Sequence, residues 1–283
     1  MFKRLKHKWK VNNLQLVLIF CIFAIGGSLT GYAGKKIISL FSIEQPWVWI
    51  VIYILLIILL WPLAVIIISI PFGQFRFFKK YIRKIGVRAG LMKPGTRIAI
   101  FASGQGSNAQ KIIDHFRNHA SVKIALVVCN NPTAGVLQIA GKENIPFFLI
   151  EKEKFLYGNG YLDEFKKNKI DFIVLAGFLW KLPSSLLKAY PGKIINIHPA
   201  LLPGYGGKGM YGLHVHEAVL ANKEKESGIS IHYVDEIYDH GGIIFQAKCP
   251  VMENDTADLL AQRIHALEHE HYPVIIEEVV RKL

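Results

Sequence analysis

Long apolar runs dominate the first third of the chain, and shorter alternating ones fill the rest. Residues 14–32 and 47–72 are mostly apolar, and each is long enough to cross a bilayer as a helix. Aromatic residues lie near both ends of the second run, and a membrane helix tolerates the proline at position 62. This pattern predicts a transmembrane α-helical hairpin within residues 1–85, with residues 14–72 in contact with the lipid bilayer.

From residue 97 onward, short strands alternate with stretches of helix length. The strands are rich in Ile, Val, Ala and Phe and end at turn residues, as expected for a parallel sheet buried on both faces. A long final helix is predicted at 255–282. We therefore predict a doubly wound, mostly parallel, Rossmann-like α/β domain over 97–283. Its strands are predicted at 97–103, 123–130, 146–151, 171–177, 193–198, 228–235 and 242–251.

A linker is predicted between these two parts. Residues 86–96 contain three glycines and one proline and show no apolar periodicity. Just before this stretch, residues 72–88 mix aromatic and basic side chains. Such a mixture fits either a helix that lies on an anionic membrane surface or a simple basic flank of the second span.

The basic charge of the chain lies almost entirely in its first third. The formal net charge is +13, and residues 1–96 carry 14 Lys and Arg against the single acid Glu44. The other residues carry 20 basic and 20 acidic side chains. Because the C-terminal part offers no net positive field to phosphates, no nucleic acid partner is predicted.

The distribution of basic residues around the two runs predicts their orientation. Basic residues precede the first run and follow the second, whereas the loop between them has only Lys35 and Lys36, opposed by Glu44. The positive-inside rule then places both termini and the C-terminal domain in the cytoplasm. The preceding residues are Lys3, Arg4, Lys6, Lys8 and Lys10, and the following ones are Arg76, Lys79, Lys80, Arg83, Lys84 and Arg88.

Cysteine and histidine usage predicts a reducing compartment and no metal site. The three cysteines, Cys21, Cys129 and Cys249, are far apart and show no ligand spacing. His214 and His216 are two residues apart, so on a helix they face different directions, and no Cys or paired carboxylates accompany them. We therefore predict that no metal takes part in the chemistry.

A glycine-containing loop follows the first predicted strand and opens a helix. Gly106, Ser107 and Asn108 in this loop offer close backbone approach and free N–H groups, which favour an anion. With Ala109 the loop also fits a dinucleotide fingerprint, but that reading needs an acid at the end of the second strand, where 129–131 read Cys-Asn-Asn. A phosphate monoester is favoured over a dinucleotide, and a plain structural turn stays open.

Asn196, His198 and Asp239 suggest acyl-type transfer. An amide and an imidazole at the end of an apolar strand suit this chemistry, because the amide holds a developing oxyanion while the imidazole moves protons. Asp239, in a glycine-rich turn, is expected to orient and charge the imidazole. An apolar segment at 178–182 closes the fourth predicted strand, and it fits either the wall of a flat heterocycle or ordinary core packing.

Together these motifs resemble the folate-dependent phosphoribosylglycinamide formyltransferases of purine synthesis. The resemblance covers nearly all of 97–283 in order, whereas the first third resembles small two-span membrane proteins of unknown role. The segments that carry it are FASGQGSN (101–108), VLAGFLWKLP (174–183), INIHPALLPGYGGKGMYGLHVHEAV (195–219), GISIHYVDEIYDHGGIIFQAKCPV (228–251) and ALEHEHYP (266–273).

The resemblance implies a formyl transfer from the co-substrate 10-formyltetrahydrofolate to the amine of 5′-phosphoribosylglycinamide. It implies a catalytic set of Asn196, His198 and Asp239, without a metal. It also implies a substrate phosphate held by Gly106, Ser107 and Asn108, with Glu268 on the ribose or glycine part. The implied folate-binding residues are Leu179, Trp180, Lys181, Leu182 and Asn196.

Three departures from the family pattern concern the rim of this predicted site. Trp180 stands where the family commonly has an arginine, and residues 157–160 lack the arginine that some relatives have after the third strand. Residues 206–212 lengthen a loop that we predict to be a mobile lid. Two alternatives stay open: an amino-sugar nucleotide formyltransferase at the membrane, and a non-catalytic, membrane-anchored folate or nucleotide sensor. The sequence predicts no oligomeric state.

Overall fold

A computed structural model describes residues 5, 6, 9, 11–91, 94–158 and 161–283. The chain divides into two compact units, Met1–Pro94 and Gly95–Leu283. Several residues used in the sequence analysis lie outside the described residues. They are Lys3, Arg4, Lys8 and Lys10 of the first basic flank, Met92 and Lys93 of the predicted linker, and Asn159 and Gly160 of the segment after the third strand.

Three helices lie wholly within the described residues of the first unit: α1 (Asn13–Ile38), α2 (Pro46–Ser69) and α3 (Phe75–Arg88). The Asn12 side chain accepts from the backbone N–H of Gln15, whose side chain returns the contact, so α1 begins with a capping box. Helix α2 begins at a proline, which suits the first turn of a helix. By length and composition alone, α1 and α2 are both able to cross a membrane.

Small residues let α1 and α2 approach each other closely. A Cβ added at Gly26 would lie 2.7 Å from Val65 Cγ1, and one at Gly34 would lie 3.2 Å from a ring carbon of Tyr53. Gly27 faces open space, so the small-residue face of α1 that meets α2 includes Gly26 and Gly34 but not Gly27.

Helix α3 packs its apolar side chains on the first two helices. Phe78 is fully buried, and its ring lies 5.0 Å from that of Phe23, which stacks on Trp61 at 5.9 Å. The apolar residues Phe78, Ile82 and Ile85 recur at helical spacing, and the helix continues to Arg88. Residues 86–88, placed in the linker by the sequence, are therefore helical. The boundaries 1–85, 86–96 and 97–283 otherwise stay predictions.

A seven-stranded sheet in the order β3-β2-β1-β4-β5-β6-β7 forms the centre of the second unit. The strands β1 to β5 pair in parallel, and β6 and β7 add antiparallel pairs at one edge. The mostly parallel sheet predicted from the sequence is confirmed. The strands are β1 (Thr96–Ala102), β2 (Val122–Cys129), β3 (Phe147–Leu149), β4 (Phe172–Leu175), β5 (Ile194–His198), β6 (Glu226–Tyr233) and β7 (Ile243–Pro250).

Helices cover both faces of this sheet. Ile98 and Ile100 of β1 belong to one apolar cluster, whereas the alternating Ala99 and Phe101 belong to a second cluster on the opposite face. The strand order reverses between β1 and β4, which opens a crevice at their carboxyl ends. The helices are α4 (Ser107–Phe116), α5 (Gly135–Lys142), α6 (Lys152–Tyr157), α7 (Leu162–Lys167), α8 (Ser184–Ala189), α9 (Leu213–Ala221) and α10 (Ala257–Arg281).

Candidate active site

A cavity of about 630 Å³ occupies the crevice at the carboxyl ends of β1, β4 and β5. The segments after these strands form much of its wall, and α10 and residues 207–213 close it from other sides. Every site residue predicted from the sequence lines it. These residues are Gly106, Ser107, Asn108, Leu179, Trp180, Lys181, Leu182, Asn196, His198, Asp239 and Glu268.

The loop after β1 is shaped for an anion. Gly106 has φ 83°, and a Cβ there would lie 2.8 Å from Val136 Cβ, so only glycine fits this position without strain. Gly106 is also the N-cap of α4, and no side chain caps the helix. The first N–H groups of α4 are therefore free of side-chain acceptors at the cavity, where a phosphate binds well.

Glu268 connects this loop to the final helix. It is only 4% exposed, and its Oε2 accepts hydrogen bonds from Asn108 Nδ2 at 2.8 Å and from His265 Nδ1 at 2.9 Å. The buried Oδ1 of Asn108 has no partner among the described residues. Asn108 and Glu268 thus hold each other in place at the cavity, while the acceptor Oδ1 of Asn108 stays unused among the described residues.

The hydrogen bond to Glu268 raises the pKa of His265 above its usual value of 6.5, although burial opposes this. We expect Glu268→Gln to lower the pKa of His265, because a neutral amide does not stabilise the imidazolium. Stability from this pair is present below the unfolded-state pKa and is lost as pH rises through the higher folded-state pKa. NMR titration of the His265 imidazole measures its pKa in the wild type and in the variant. An unchanged pKa in the variant would contradict the hydrogen bond to Glu268 as the cause of the shift.

His198 ends β5 with its ring between two acceptors. The ring is 3% exposed, Nε2 donates to the carbonyl oxygen of Tyr205 at 2.7 Å, and Nδ1 lies 3.6 Å from Asp239 Oδ2. Because Nε2 carries a proton for the first contact, Nδ1 attracts the carboxylate only when the ring is doubly protonated. Asp239 Oδ2 also accepts from the backbone N–H of Gly207 at 2.9 Å.

Burial and charge act on His198 in opposite directions. Burial lowers its pKa, and the neighbouring Asp239 raises it, but the net pKa is below the usual value. Burial also opposes ionisation of Asp239, yet its neighbours His232 and His198 and the backbone N–H of Gly207 bring its pKa below the usual range. Asp239 therefore favours the imidazolium as predicted, but it does not outweigh burial, and the ring of the free protein is mostly neutral at neutral pH.

His232 is a member of this cluster that the sequence analysis did not assign. It pairs with Asn196 across β5 and β6, and the Asn196 amide Nδ2 lies 3.1 Å from its Nε2. His232 Nδ1 donates to the carbonyl oxygen of Tyr233 at 2.8 Å, so Nε2 accepts from the amide. This contact orients the Asn196 side chain and leaves its second amide N–H for a ligand.

The predicted folate wall is partly exposed and partly core. Leu179 is half exposed, and its backbone N–H donates to Ser103 Oγ at 3.1 Å. The ring of Trp180 packs 6.2 Å from that of Phe155, whereas Leu182 is buried in the apolar cluster beneath. Leu179 and one side of Trp180 thus form the accessible part of this wall, with Leu182 as support.

The predicted lid forms one side of the cavity. Residues 207–213 line it, and Gly207, Gly209 and Gly212 all have positive φ. Motion of this segment stays a prediction. The exposed His214 and His240 pair with Glu217 and Asp235, and the described part of the chain contains no group of three or more His, Cys, Asp or Glu arranged for a metal ion.

Comparisons with known proteins agree with this geometry. A chloroplastic phosphoribosylglycinamide formyltransferase from Vigna unguiculata is 40% identical over 198 residues, which are 68% of this chain and 63% of the relative. The phosphoribosylglycinamide formyltransferase of Bacillus subtilis (strain 168) is 37% identical over 189 residues, which are 65% of this chain and 94% of the relative. The chain thus spans less than two thirds of the Vigna unguiculata relative.

A solved structure shows the same fold. The crystal structure of glycinamide ribonucleotide transformylase 1 from Geobacillus kaustophilus aligns with a TM-score of 0.60 and 36% identity, and the alignment covers 66% of this chain and 99% of that one. Residues 18–93 match a family of unknown function (DUF6787). Residues 96–276, most of the chain, match the family described as formyl transferase. The chain therefore belongs to the formyl transferase family.

Proposed function

We propose that this protein transfers the formyl group of 10-formyltetrahydrofolate to the amine of 5′-phosphoribosylglycinamide. The single observation that carries the proposal is one cavity that holds Asn196, His198 and Asp239 between an anion-binding loop and an apolar wall. The loop suits the phosphate of the acceptor, and the wall suits the pterin of the donor. The names of the relatives support the same reaction.

Asn196 and His198 are placed to stabilise charge during this transfer. When the acceptor amine bonds to the formyl carbon, negative charge develops on the formyl oxygen. The free amide N–H of Asn196 donates to that oxygen, and protonated His198 adds positive charge beside it. Both substrates are anions, and their charge favours protonation of the neutral resting ring as they fill the cavity.

Proton transfer completes the reaction without a covalent intermediate on the protein. The attacking amine gives up one proton, and the donor nitrogen gains one as its bond to the formyl carbon breaks. His198, or an ordered water beside it, moves the proton in this scheme. Asp239, which is ionised, holds the ring in place and compensates the positive charge that it gains.

Formyl transfer from 10-formyltetrahydrofolate to phosphoribosylglycinamide, followed as release of tetrahydrofolate, tests the proposal. Amino-sugar nucleotides are offered as acceptors in parallel. Turnover with phosphoribosylglycinamide alone is the expected result. Turnover with an amino-sugar nucleotide instead would show that the protein is an amino-sugar nucleotide formyltransferase. Binding of both ligands without turnover would show that it is a sensor and not an enzyme.

We further propose that α1 and α2 anchor the enzyme in a membrane with both termini in the cytoplasm. Two helices of sufficient length and apolarity support the anchor, and the basic flanks in the sequence support the orientation. The family domain then faces the cytoplasm. Cytoplasmic accessibility of tags placed at both termini tests the orientation.

We expect a chain of residues 92–283 to be soluble and to keep the kcat of the full protein. The reason is that the second unit has its own sheet, core and cavity, all within residues 95–283. Fractionation of cells and assays of both proteins measure this. Full-length protein in the soluble fraction would refute the anchor, and an inactive shorter chain would show that the second unit depends on the first.

A further inference from the structure

His216 is a buried histidine in the cavity wall that the proposed reaction does not use. It belongs to α9, lines the cavity and is only 2% exposed. Its Nδ1 is enclosed and has no hydrogen-bond partner among the described residues. Nε2 also lacks a partner there but is not enclosed, so it is the ring nitrogen open to a ligand.

His216 interacts electrostatically with residues at both ends of the site proposed for the acceptor. The charged and titratable groups that act on its ring are His198 at the end of β5 and His265 and Glu268 on α10. His198 lies at the reacting end, whereas Glu268 is bonded to Asn108 of the anion-binding loop. An acceptor with its phosphate at that loop and its amine at Asn196 therefore passes His216 with its middle portion.

The ring of His216 is neutral at neutral pH. Burial lowers its pKa, His265 and His198 lower it further, and Glu268 only partly opposes them. A doubly protonated ring would also leave a charged N–H at the enclosed Nδ1 without an acceptor, which is costly. His216 thus offers a ligand a hydrogen-bonding atom without a positive charge, which suits a neutral polar group.

We infer that His216 is a substrate-binding residue that hydrogen-bonds through Nε2 to a neutral group in the middle of the acceptor. The two groups with this chemistry are a ribose hydroxyl and the glycyl amide. The inference rests on the proposed function and adds a specificity-determining contact to it. It requires no proton transfer to His216, because the group it binds keeps its own protons.

Three substitutions separate this role from simple packing. Glutamine places its amide near the position of Nε2, asparagine places it near Nδ1, and leucine fills the space without a polar group. We expect His216→Leu and His216→Asn to raise the acceptor KM about tenfold and His216→Gln to stay within about threefold of wild type. The KM of the formyl donor and the kcat should change little in all three variants.

His214→Leu is the matched control, because it lies on the same helix with a side chain that is 67% exposed. An acceptor whose ribose lacks both the 2′- and the 3′-hydroxyl distinguishes the two partners. If a hydroxyl is bound, this acceptor has the same KM with wild type and with His216→Leu; if the amide is bound, His216→Leu still raises its KM. Either result supports the contact.

Two results would overturn the inference, and they differ from failure of the proposed function. One is an unchanged acceptor KM in His216→Leu, and the other is an equal rise of both KM values that His216→Gln does not rescue. Both results are meaningful only when the wild-type enzyme is active in the same assay. A wild-type protein without formyl transfer would instead refute the proposed function, and the inference would fall with it.

Discussion

His198→Ala and Asn196→Ala are each expected to lower kcat by roughly a hundredfold or more. Loss of one preorganised donor to a developing oxyanion typically costs about 2.7–4 kcal/mol in the transition state. Both side chains are held by contacts that predate substrate binding, Asn196 by His232 and His198 by the Tyr205 carbonyl. Asn196 therefore needs little rearrangement to donate its second amide N–H when charge develops, and His198 contributes through the positive charge that its fixed ring gains.

Steady-state kinetics at saturating concentrations of both substrates measures this effect. His240→Ala is the matched control for the histidine, because its side chain is 68% exposed and lies outside the cavity lining. Melting temperatures of all variants exclude unfolding as the cause. Near wild-type turnover in either cavity variant would remove that residue from the catalytic set.

Asp239→Asn, which removes only the negative charge of the side chain, is expected to lower kcat by a comparable amount. Asp239 has φ 54°, a conformation that asparagine tolerates well, and an amide oxygen still accepts from the Gly207 N–H. Without the carboxylate, burial of His198 is no longer opposed by its largest charge partner, and the pKa of the ring falls further. A ring that resists protonation stabilises the oxyanion poorly, so kcat drops roughly a hundredfold.

Glu236→Gln is the control for Asp239→Asn, since it removes an equal charge three residues away on an exposed side chain. NMR titration of His198 in the wild type and in the Asn variant tests the cause, and kcat tests the consequence. A lower pKa with unchanged kcat would show that His198 acts in its neutral form. An unchanged pKa would show that Asp239 has another role.

Much of the second unit follows from its sequence pattern. The apolar runs and turn residues predict all seven strands and the mostly parallel sheet, because buried strands and their boundaries depend on local composition. The motif around Asn196 and His198 is also a local pattern, and it therefore locates the reacting end of the cavity from the sequence. Helices α6, α7 and α8 contain six residues each, which is too few for a clear helical periodicity in the sequence.

Features that depend on pairing between distant segments were missed. His232 contacts Asn196 only because β6 runs antiparallel to β5 in one particular register, and no local pattern in either strand specifies that register. The lowered pKa of His198 likewise results from burial by surrounding segments. Sequence motifs indicate candidate residues, whereas the contacts and the electrostatic balance among them require the fold.

The loop after β5 is expected to tolerate substitution of its side chains but not a change of its length. It holds His198 through the carbonyl oxygen of Tyr205 and Asp239 through the N–H of Gly207, and both are main-chain atoms. Replacement of a side chain in this loop leaves those atoms in place, so its outward residues are free to diverge. Deletion of one residue would shift a carbonyl or an N–H out of reach, so natural variation here is expected in residue identity and not in the spacing from His198 to Gly207.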